Sequence, residues 1–141
     1  MNALRLPMDL LGRVLLGLYF FVFGAMKLTA IDGTVAYMAT HGVPMPALLI
    51  WVTVAVQVGA GLALILGWRT EQAAFVLAGL TLLISVFMHD FWNEYPGGSQ
   101  AHETQNFIKN LGIFAGLLIL AARGAPRASL DQRRDAASPG S

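Results

Sequence analysis

The sequence predicts an all-α membrane protein, a bundle of four transmembrane helices. Of its 141 residues, 56% are hydrophobic and only 12% are charged. Ordinary soluble domains carry about 25% charged residues, so this chain has too little polar surface to coat a soluble globule. Four apolar segments are each about long enough to cross roughly 30 Å of hydrocarbon. We therefore expect one transmembrane domain over residues 1–122, with spans at residues 9–28, 46–67, 71–92 and 106–122.

Each span has local support in the sequence. The first is longer than the apolar region of a cleavable signal peptide and is followed by more spans, so we interpret it as a retained helix. The second begins at Pro46, which suits the first position of a helix, and has Trp51 and Trp68 near its ends, as interfacial aromatics often are. The third follows a very short connection, which predicts an antiparallel pair. The fourth is the shortest.

The connections and the C-terminal segment differ in composition. Residues 29–45 are too polar to span a membrane, but residues 34–39 within them are expected to form a short interfacial helix with Tyr37 at headgroup depth. Residues 123–141 are rich in Arg, Ser, Pro and Ala and show no apolar periodicity. This composition predicts a disordered cytoplasmic tail.

Basic residues are distributed unequally along a four-span path. Lys27 and Lys109 fall on one side of the membrane, and six arginines fall on the other. The positive-inside rule therefore predicts that both termini lie in the cytoplasm of a multi-pass inner-membrane protein. The six arginines are Arg5, Arg69, Arg123, Arg127, Arg133 and Arg134.

Polar residues at the ends of the spans are the main functional signal. His89 and Asp90 lie near the end of the third span, Lys109 lies in the first turn of the fourth, and Lys27 ends the first. Ionisable residues inside membrane spans are costly and commonly functional, and antiparallel threading brings these four to the same outward face. Three more residues complete the candidate site: Gln57, near the middle of the second span, Trp92 and Asn110.

These residues allow two interpretations. Two lysines and an imidazole around one carboxylate would form an electropositive pocket that holds an anion or donates hydrogen bonds to a quinone. In this interpretation Lys27 and Lys109 bind the ligand, and His89 exchanges a proton with its pKa tuned by Asp90, so that His89 and Asp90 are the candidate catalytic pair. Gln57, Trp92 and Asn110 would line the pocket. In the other interpretation Asp90 simply pairs with both lysines in an interfacial lattice.

Small residues on the fourth span indicate a different class of function. Gly112 and Gly116 have the spacing of helix-packing seams in membranes. A non-catalytic assembly or scaffold protein would use such glycines to grip partner helices or a second copy of the chain. That role requires the glycines to face lipid, whereas a quinone site requires Lys109 to face a cavity. A third possibility, a small-solute transporter, requires an aqueous path past Gln57.

The sequence lacks the residues that several kinds of chemistry require. There is no cysteine, which excludes disulfides, thiol redox chemistry and iron–sulfur ligation by this chain. The net charge of +1 provides no basic field for nucleic acid. His41, His89 and His102 are too scattered for a zinc site, and no flavin motif or pair of membrane histidines for haem is present. A redox role would therefore need a partner protein that carries the electrons.

Five short segments resemble the DoxX family of small four-helix membrane proteins, and the resemblance covers about residues 8–122. The paired His-x-Phe-Trp and Phe-x-Lys-Asn segments are fairly specific together. The matching segments are Arg13 and Gly17 with residues 24–28, then residues 42–44, 59–61, 89–92 and 106–112.

The resemblance implies the four-helix fold and only a loose functional assignment. One relative is similar to a subunit of thiosulfate:quinone oxidoreductase, others are linked to redox-stress complexes or quinone resistance, and distant ones resemble assembly chaperones. Many relatives carry Glu on the second helix where this chain has Gln57, so a proton-coupled role for that position is not expected here. The implied function is a quinone-interacting oxidoreductase subunit that contacts the lipid bilayer and a redox or membrane-protein partner.

Overall fold

The computed structural model describes residues 2–124 and 128–137, and in that part of the chain every regular element is an α-helix. The first five helices follow one another through short connections, apart from one longer loop after the fourth. In chain order they are α1 (Asn2–Lys27), α2 (Ile31–Thr40), α3 (Pro46–Leu66), α4 (Thr70–Met88), α5 (Gln100–Arg123) and α6 (Leu130–Ala137).

Four of these helices, α1, α3, α4 and α5, are long and apolar enough to cross a membrane, which confirms the predicted four-span bundle. Two helix ends differ from the prediction. α4 ends at Met88 instead of near residue 92, because residues 89–98 fold into turns around Asp90. α5 begins at Gln100 instead of near residue 106, because the Ser99 hydroxyl caps it and accepts a hydrogen bond from the backbone N–H of His102 at 3.3 Å.

α1 packs closely along α3, and α5 packs along α4. Glycines allow the first of these approaches. A Cβ atom on Gly17 would lie 2.7 Å from the carbonyl oxygen of Gly61, and one on Gly61 would lie 2.8 Å from the backbone nitrogen of Phe21. Such small-residue contacts are how membrane helices approach each other. The buried centre of the bundle is apolar, with Phe20, Leu64, Leu77 and Leu117 at its heart.

The short helix α2 confirms that a helix forms within residues 29–45, as the sequence predicts. Its Met38 packs with Ile50 and Val54 at the start of α3. Tyr37 is 40% exposed, and its hydroxyl donates to the backbone oxygen of Met88 at 3.2 Å. α2 therefore covers the end of the bundle at which α1 and α4 end, which we call the histidine end.

The opposite end, which we call the arginine end, is closed by Arg13. This side chain is 3% exposed, and its Nη1 donates to the backbone oxygens of Leu64 at 2.6 Å and Ile65 at 3.1 Å. These carbonyls belong to the last turn of α3 and its C-terminus, where helical oxygens lack partners within their own helix. Arg13 thus ties the first half of α1 to the end of α3.

The prediction of a disordered tail over residues 123–141 is wrong for residues 128–137. Asp131, in the first turn of α6, accepts hydrogen bonds from the backbone N–H groups of Arg69 at 2.7 Å and Thr70 at 2.9 Å. A carboxylate is well placed there, because the first N–H groups of α4 have no helical partners. The amino-acid composition of the segment, from which disorder was predicted, gives no sign of this capping contact. Residues 125–127 and 138–141 lie outside the described part of the chain.

Candidate functional site

A cavity of about 300 Å³ lies between the helices at the histidine end. Its volume is at the lower end of the range for small-molecule sites. One part of its wall is aromatic, formed by Tyr19, Phe20 and Phe23 of α1, and the rest combines polar side chains with aliphatic ones and methionines. The cavity brings together five of the seven residues that the sequence predicted for the site. They are Lys27, Gln57, His89, Lys109 and Asn110.

The two lysines of the cavity have only weak neutral contacts. The Nζ atom of Lys27 lies 3.4 Å from the backbone oxygen of Phe23, and Nζ of Lys109 lies 3.1 Å from Oδ1 of Asn106. Within the described residues neither lysine forms an ion pair. The alternative lattice, in which Asp90 binds both lysines, is therefore wrong. Two ammonium groups beside one small cavity favour a ligand with electron-rich oxygen atoms.

Gln57 provides a buried amide at the inner side of this cavity. The residue is 4% exposed, and its Oε1 atom has no hydrogen-bond partner in the described chain. Gly24 permits this position, because a Cβ atom there would lie 2.8 Å from Cβ of Gln57. A buried polar group without a partner is costly, and native structures contain few of them. The amide can offer its oxygen to a hydroxyl group or its N–H groups to a carbonyl.

His89 lines the cavity and is oriented by a carboxylate. Its Nδ1 atom lies 2.7 Å from Oε2 of Glu103, and the two side chains are 19% and 15% exposed. The other carboxylate oxygen, Oε1, accepts a hydrogen bond from the hydroxyl of Tyr37 at 3.0 Å. A carboxylate on one ring nitrogen fixes the imidazole and leaves the second nitrogen for a ligand or proton exchange. Glu103 therefore holds the position that the sequence assigned to Asp90.

Asp90 has a different role from the predicted one. Its carboxylate is buried and accepts from Nδ1 of His41 at 2.8 Å, Nδ2 of Asn93 at 2.7 Å and the hydroxyl of Tyr95 at 2.5 Å. It does not line the cavity or contact His89. Burial alone would raise the pKa of Asp90, but the hydrogen bonds from Tyr95, Asn93 and His41 outweigh it and lower that pKa. The assignment of Asp90 as a catalytic partner of His89 is wrong.

Trp92 is also outside the cavity. It is 52% exposed, and its ring packs edge-to-face on Phe91 and Phe107 at centroid distances of 5.2 and 5.8 Å. The prediction that it lines the pocket assumed that α4 continues to residue 92. Because α4 ends at Met88, Trp92 lies in the turn that follows and its ring points away from the interior.

Sequence reasoning missed Glu103, Tyr37 and His41. Glu103 could have been found, because Ser99 is a good N-cap residue, and a helix beginning at Gln100 places Glu103 one turn before Asn106. No local signal pairs His41 with a carboxylate 49 residues later. In the described part of the chain no three His, Asp or Glu side chains lie close enough together to hold a metal ion.

Four membrane-length helices with a polar cavity at one end define the class: a small four-span membrane protein. The chain belongs to the DoxX family, whose profile matches residues 8–90.

Two relatives from Escherichia coli K12 agree with this assignment. The chain is 36% identical over 132 residues to the inner membrane protein YphA, with 94% of each chain covered. It is 32% identical over 123 residues to the inner membrane protein YqjF, with 87% of this chain and 88% of that protein covered. No solved structure matches. With four helices able to span a bilayer, the protein is a multi-pass inner-membrane protein in contact with lipid.

Proposed function

We propose that this DoxX-family protein binds a quinone in the cavity at the histidine end and serves as the quinone-binding subunit of a membrane oxidoreductase. One observation carries the proposal. Lys27 and Lys109, both free of ion pairs within the described chain, share a cavity of about 300 Å³ with an imidazole that is held by Glu103. Aromatic side chains form the adjoining wall, so a flat ring with carbonyl oxygens matches both parts of the cavity.

The lysines would donate hydrogen bonds to the quinone oxygens, while Phe20 and Phe23 would pack against the ring. Reduction of a quinone to a quinol consumes two electrons and two protons. One proton would pass from His89 to a quinone oxygen, after which water on the side of Glu103 would reprotonate His89, and the other quinone oxygen would take its proton from water. The electrons would come from a partner protein with a redox centre, because the sequence has neither a cysteine for thiol or iron–sulfur chemistry nor a flavin motif.

A small anionic reductant such as thiosulfate is the other ligand class that two lysines could hold. Three aromatic rings in the wall, Tyr19, Phe20 and Phe23, favour the quinone, since an anion gains little from an apolar surface. The unpartnered amide oxygen of Gln57 points the same way. It could accept a hydrogen bond from the hydroxyl of a quinol, whereas a fully deprotonated anion has no hydrogen to donate.

Quinone binding to the purified protein in lipid nanodiscs tests the proposal. Lys109→Gln and His89→Gln are each expected to weaken the binding of a benzoquinone analogue by about tenfold or more. Each substitution removes a side chain that would form a hydrogen bond with a quinone oxygen. Two controls remove a cationic side chain and a histidine outside the cavity. Arg5→Gln removes a cation at the other end of α1, and His102→Gln removes an exposed histidine near Glu103.

Binding unchanged in both cavity variants, or no binding to the unaltered protein, contradicts the proposal. Thiosulfate in place of the quinone analogue distinguishes the anion alternative. If thiosulfate binds in a manner that depends on Lys109 and quinone does not, the cavity is an anion site.

An assembly or scaffold role is the second candidate, and one observation favours it. A Cβ atom added to Gly112 would meet no atom within 4 Å, so this part of α5 is open to a partner helix or a second copy of the chain. Cross-linking of a Gly112→Cys variant to a partner or to itself in membranes would support this role. Buried Phe20, Leu64 and Leu117 fill the bundle on the arginine side of Gln57, which weighs against the aqueous path that the transporter alternative requires.

We also propose that the histidine end faces outward and that both termini lie in the cytoplasm, as the distribution of arginines indicates. The chain contains no cysteine, so single cysteines introduced at exposed Glu94 and Gln72 can be labelled separately. A membrane-impermeant thiol reagent applied to intact spheroplasts should label Glu94→Cys and leave Gln72→Cys unlabelled. The reverse pattern would contradict the orientation.

A further inference from the structure

α1 meets its two neighbours in different ways. Along α3 the glycines Gly17 and Gly61 bring the backbones together, whereas α1 and α5 face each other and touch only sparsely. A Cβ atom on Gly116 of α5 would reach Cδ1 of Leu16 on α1 at 4.0 Å, and one on Gly112 would meet nothing within that distance. We call this opening between α1 and α5 the seam.

A second cleft lies between the same two helices, farther toward the arginine end. Phe23 and Lys27 of α1 and Lys109 of α5 line the cavity at the histidine end. Toward the arginine end, a cleft of about 200 Å³ lies between the same two helices, with Leu16 and Ile119 among its lining residues. Along α5, Gly112 lies between Lys109, which lines the cavity, and Gly116, which lines the cleft, and the three residues share one stripe of the helix.

We infer that the cavity takes a lipid-soluble ligand, whose polar head lies beside Gln57 and whose hydrocarbon tail leaves the bundle through the seam. This inference rests on the proposed quinone function and narrows its substrate to a quinone with a long tail. Within the cavity, the buried Oε1 of Gln57 lacks a partner and marks a position for a polar head.

The small volume of the cavity and the apolar residues between α1 and α5 place the tail in the seam. A cavity of about 300 Å³ is small for a drug-sized ligand and has no room for a long chain beside a ring. Between the cavity and the cleft the residues are apolar or lack a side chain, as Phe23, Leu16 and Gly112 show. The charged residues of the cleft, Asp9, Arg13 and Arg123, lie toward the arginine end, beyond the stretch that the tail needs to leave the bundle. The sides of a transmembrane helix bundle face hydrocarbon, so an opening between two of its helices admits a tail directly from the bilayer.

Closing the seam at Gly112 tests the inference. Gly112→Leu places a side chain in the opening without a steric conflict, since no atom lies within 4 Å of the added Cβ. Gly79→Leu is the matched control, because Gly79 is also an exposed helical glycine with nothing within 4 Å, but lies on α4 outside the seam. Both substitutions replace glycine by a better helix former, so neither should unfold the bundle.

Two benzoquinones with the same head, one with a long alkyl tail and one without, are the probes. In Gly112→Leu the tailed quinone should bind at least about tenfold more weakly than to the unaltered protein, because burial of its tail is lost. The tailless quinone should bind equally to the unaltered protein and to both variants. Gly79→Leu should bind both probes as the unaltered protein does.

Two results overturn the inference, and they are distinguishable. If the tailed quinone binds Gly112→Leu as tightly as the unaltered protein, the seam does not hold the tail, although the quinone function stands. If neither quinone binds the unaltered protein, the proposed function and this inference fail together.

Discussion

In the described part of the chain two histidines pair with carboxylates, and the two pairs, which share the neighbouring residues His89 and Asp90, differ in what surrounds them. In the first, His41 and Asp90 are 3% and 6% exposed, and the carboxylate accepts two further hydrogen bonds. In the second, His89 and Glu103 are 19% and 15% exposed, and the imidazole lines the cavity. The two contact distances are nearly equal, at 2.8 and 2.7 Å.

The difference shows that a histidine beside a carboxylate is not by itself a functional signal. The first pair joins α2 to the turn after α4 and has no access to a ligand, so it serves the fold. The second pair also joins two segments, but one ring nitrogen of His89 remains available for a ligand. It lies beside Lys27 and Lys109, which form no ion pair in the described part of the chain. The two pairs differ in burial and in whether the histidine keeps a ring nitrogen available for a ligand. The sequence spacing of the residues does not reveal this difference.

The largest expected effect is the loss of the buried pair. Asp90→Ala leaves buried His41 and two further donors without their shared acceptor, and the unfolding free energy should fall by about 3 kcal/mol or more, since each unpaired buried donor costs about 1–3 kcal/mol. Glu103→Ala is the matched substitution in the second pair, and about 1 kcal/mol is expected there because the pair is more exposed. Reversible unfolding in mixed micelles measures both. Equal losses would contradict the division into a structural and a functional pair.

The acid dependence of stability should also originate from Asp90. Its folded pKa lies below the unfolded value of about 3.9, so its contribution is complete above that pH and declines as the pH falls through the folded pKa. The stability difference between the unaltered protein and Asp90→Ala should therefore shrink below about pH 4. A difference that stays constant down to the lowest accessible pH would mean that the ionised carboxylate does not stabilise the fold.

Tyr37 connects the two pairs, and its removal should have a smaller effect. Its ring packs on His41 at 4.3 Å between centroids, and its hydroxyl donates to Glu103. Tyr37→Phe keeps the ring contact and removes the hydrogen bonds, which should cost about 0.5–1.5 kcal/mol of unfolding free energy. Thermal unfolding of the variant in detergent measures the loss. A loss as large as that of Asp90→Ala would show that the hydroxyl is part of the buried core network.

The smallest effect on stability and a clear effect on binding are expected for Glu103→Gln. The amide keeps the size of the side chain but removes the charge that orients His89. The unfolding free energy should change by about 1 kcal/mol or less, while quinone binding weakens severalfold because the imidazole is no longer fixed. Glu94→Gln, an exposed carboxylate at the same end, is the control. Binding unchanged in Glu103→Gln would remove Glu103 from the site.

The fold could be predicted from the sequence because membrane helices are specified by length and hydrophobicity, which are local properties. The four spans were recognised in this way, and so was the convergence of Lys27, His89 and Lys109, since antiparallel threading places the ends of α1 and α4 beside the start of α5. The end of α4 and the start of α5 were harder to predict from the sequence. A polar turn ends α4 and an N-cap begins α5, and both outweigh the apolar pattern there.

The partners within the site could not be predicted from the sequence. Asp90 follows His89 directly in the chain, but neighbouring residues at the end of a helix point in different directions, and the side chain of Asp90 turns to His41 instead. The contact of α6 with the start of α4 could not be predicted for a similar reason. It depends on one carboxylate, Asp131, and a single residue does not alter the polar composition from which disorder was predicted. Contacts between distant residues depend on packing, which hydrophobic periodicity does not encode.

The most direct test of the account is an experimental density map of the protein with a long-tailed quinone in lipid. The account predicts a ring in the cavity, with its oxygens within hydrogen-bond distance of Lys27, Lys109 or His89, and a tail between α1 and α5. A map with no ligand between these helices, and with Lys27 and Lys109 paired to carboxylates, would contradict it.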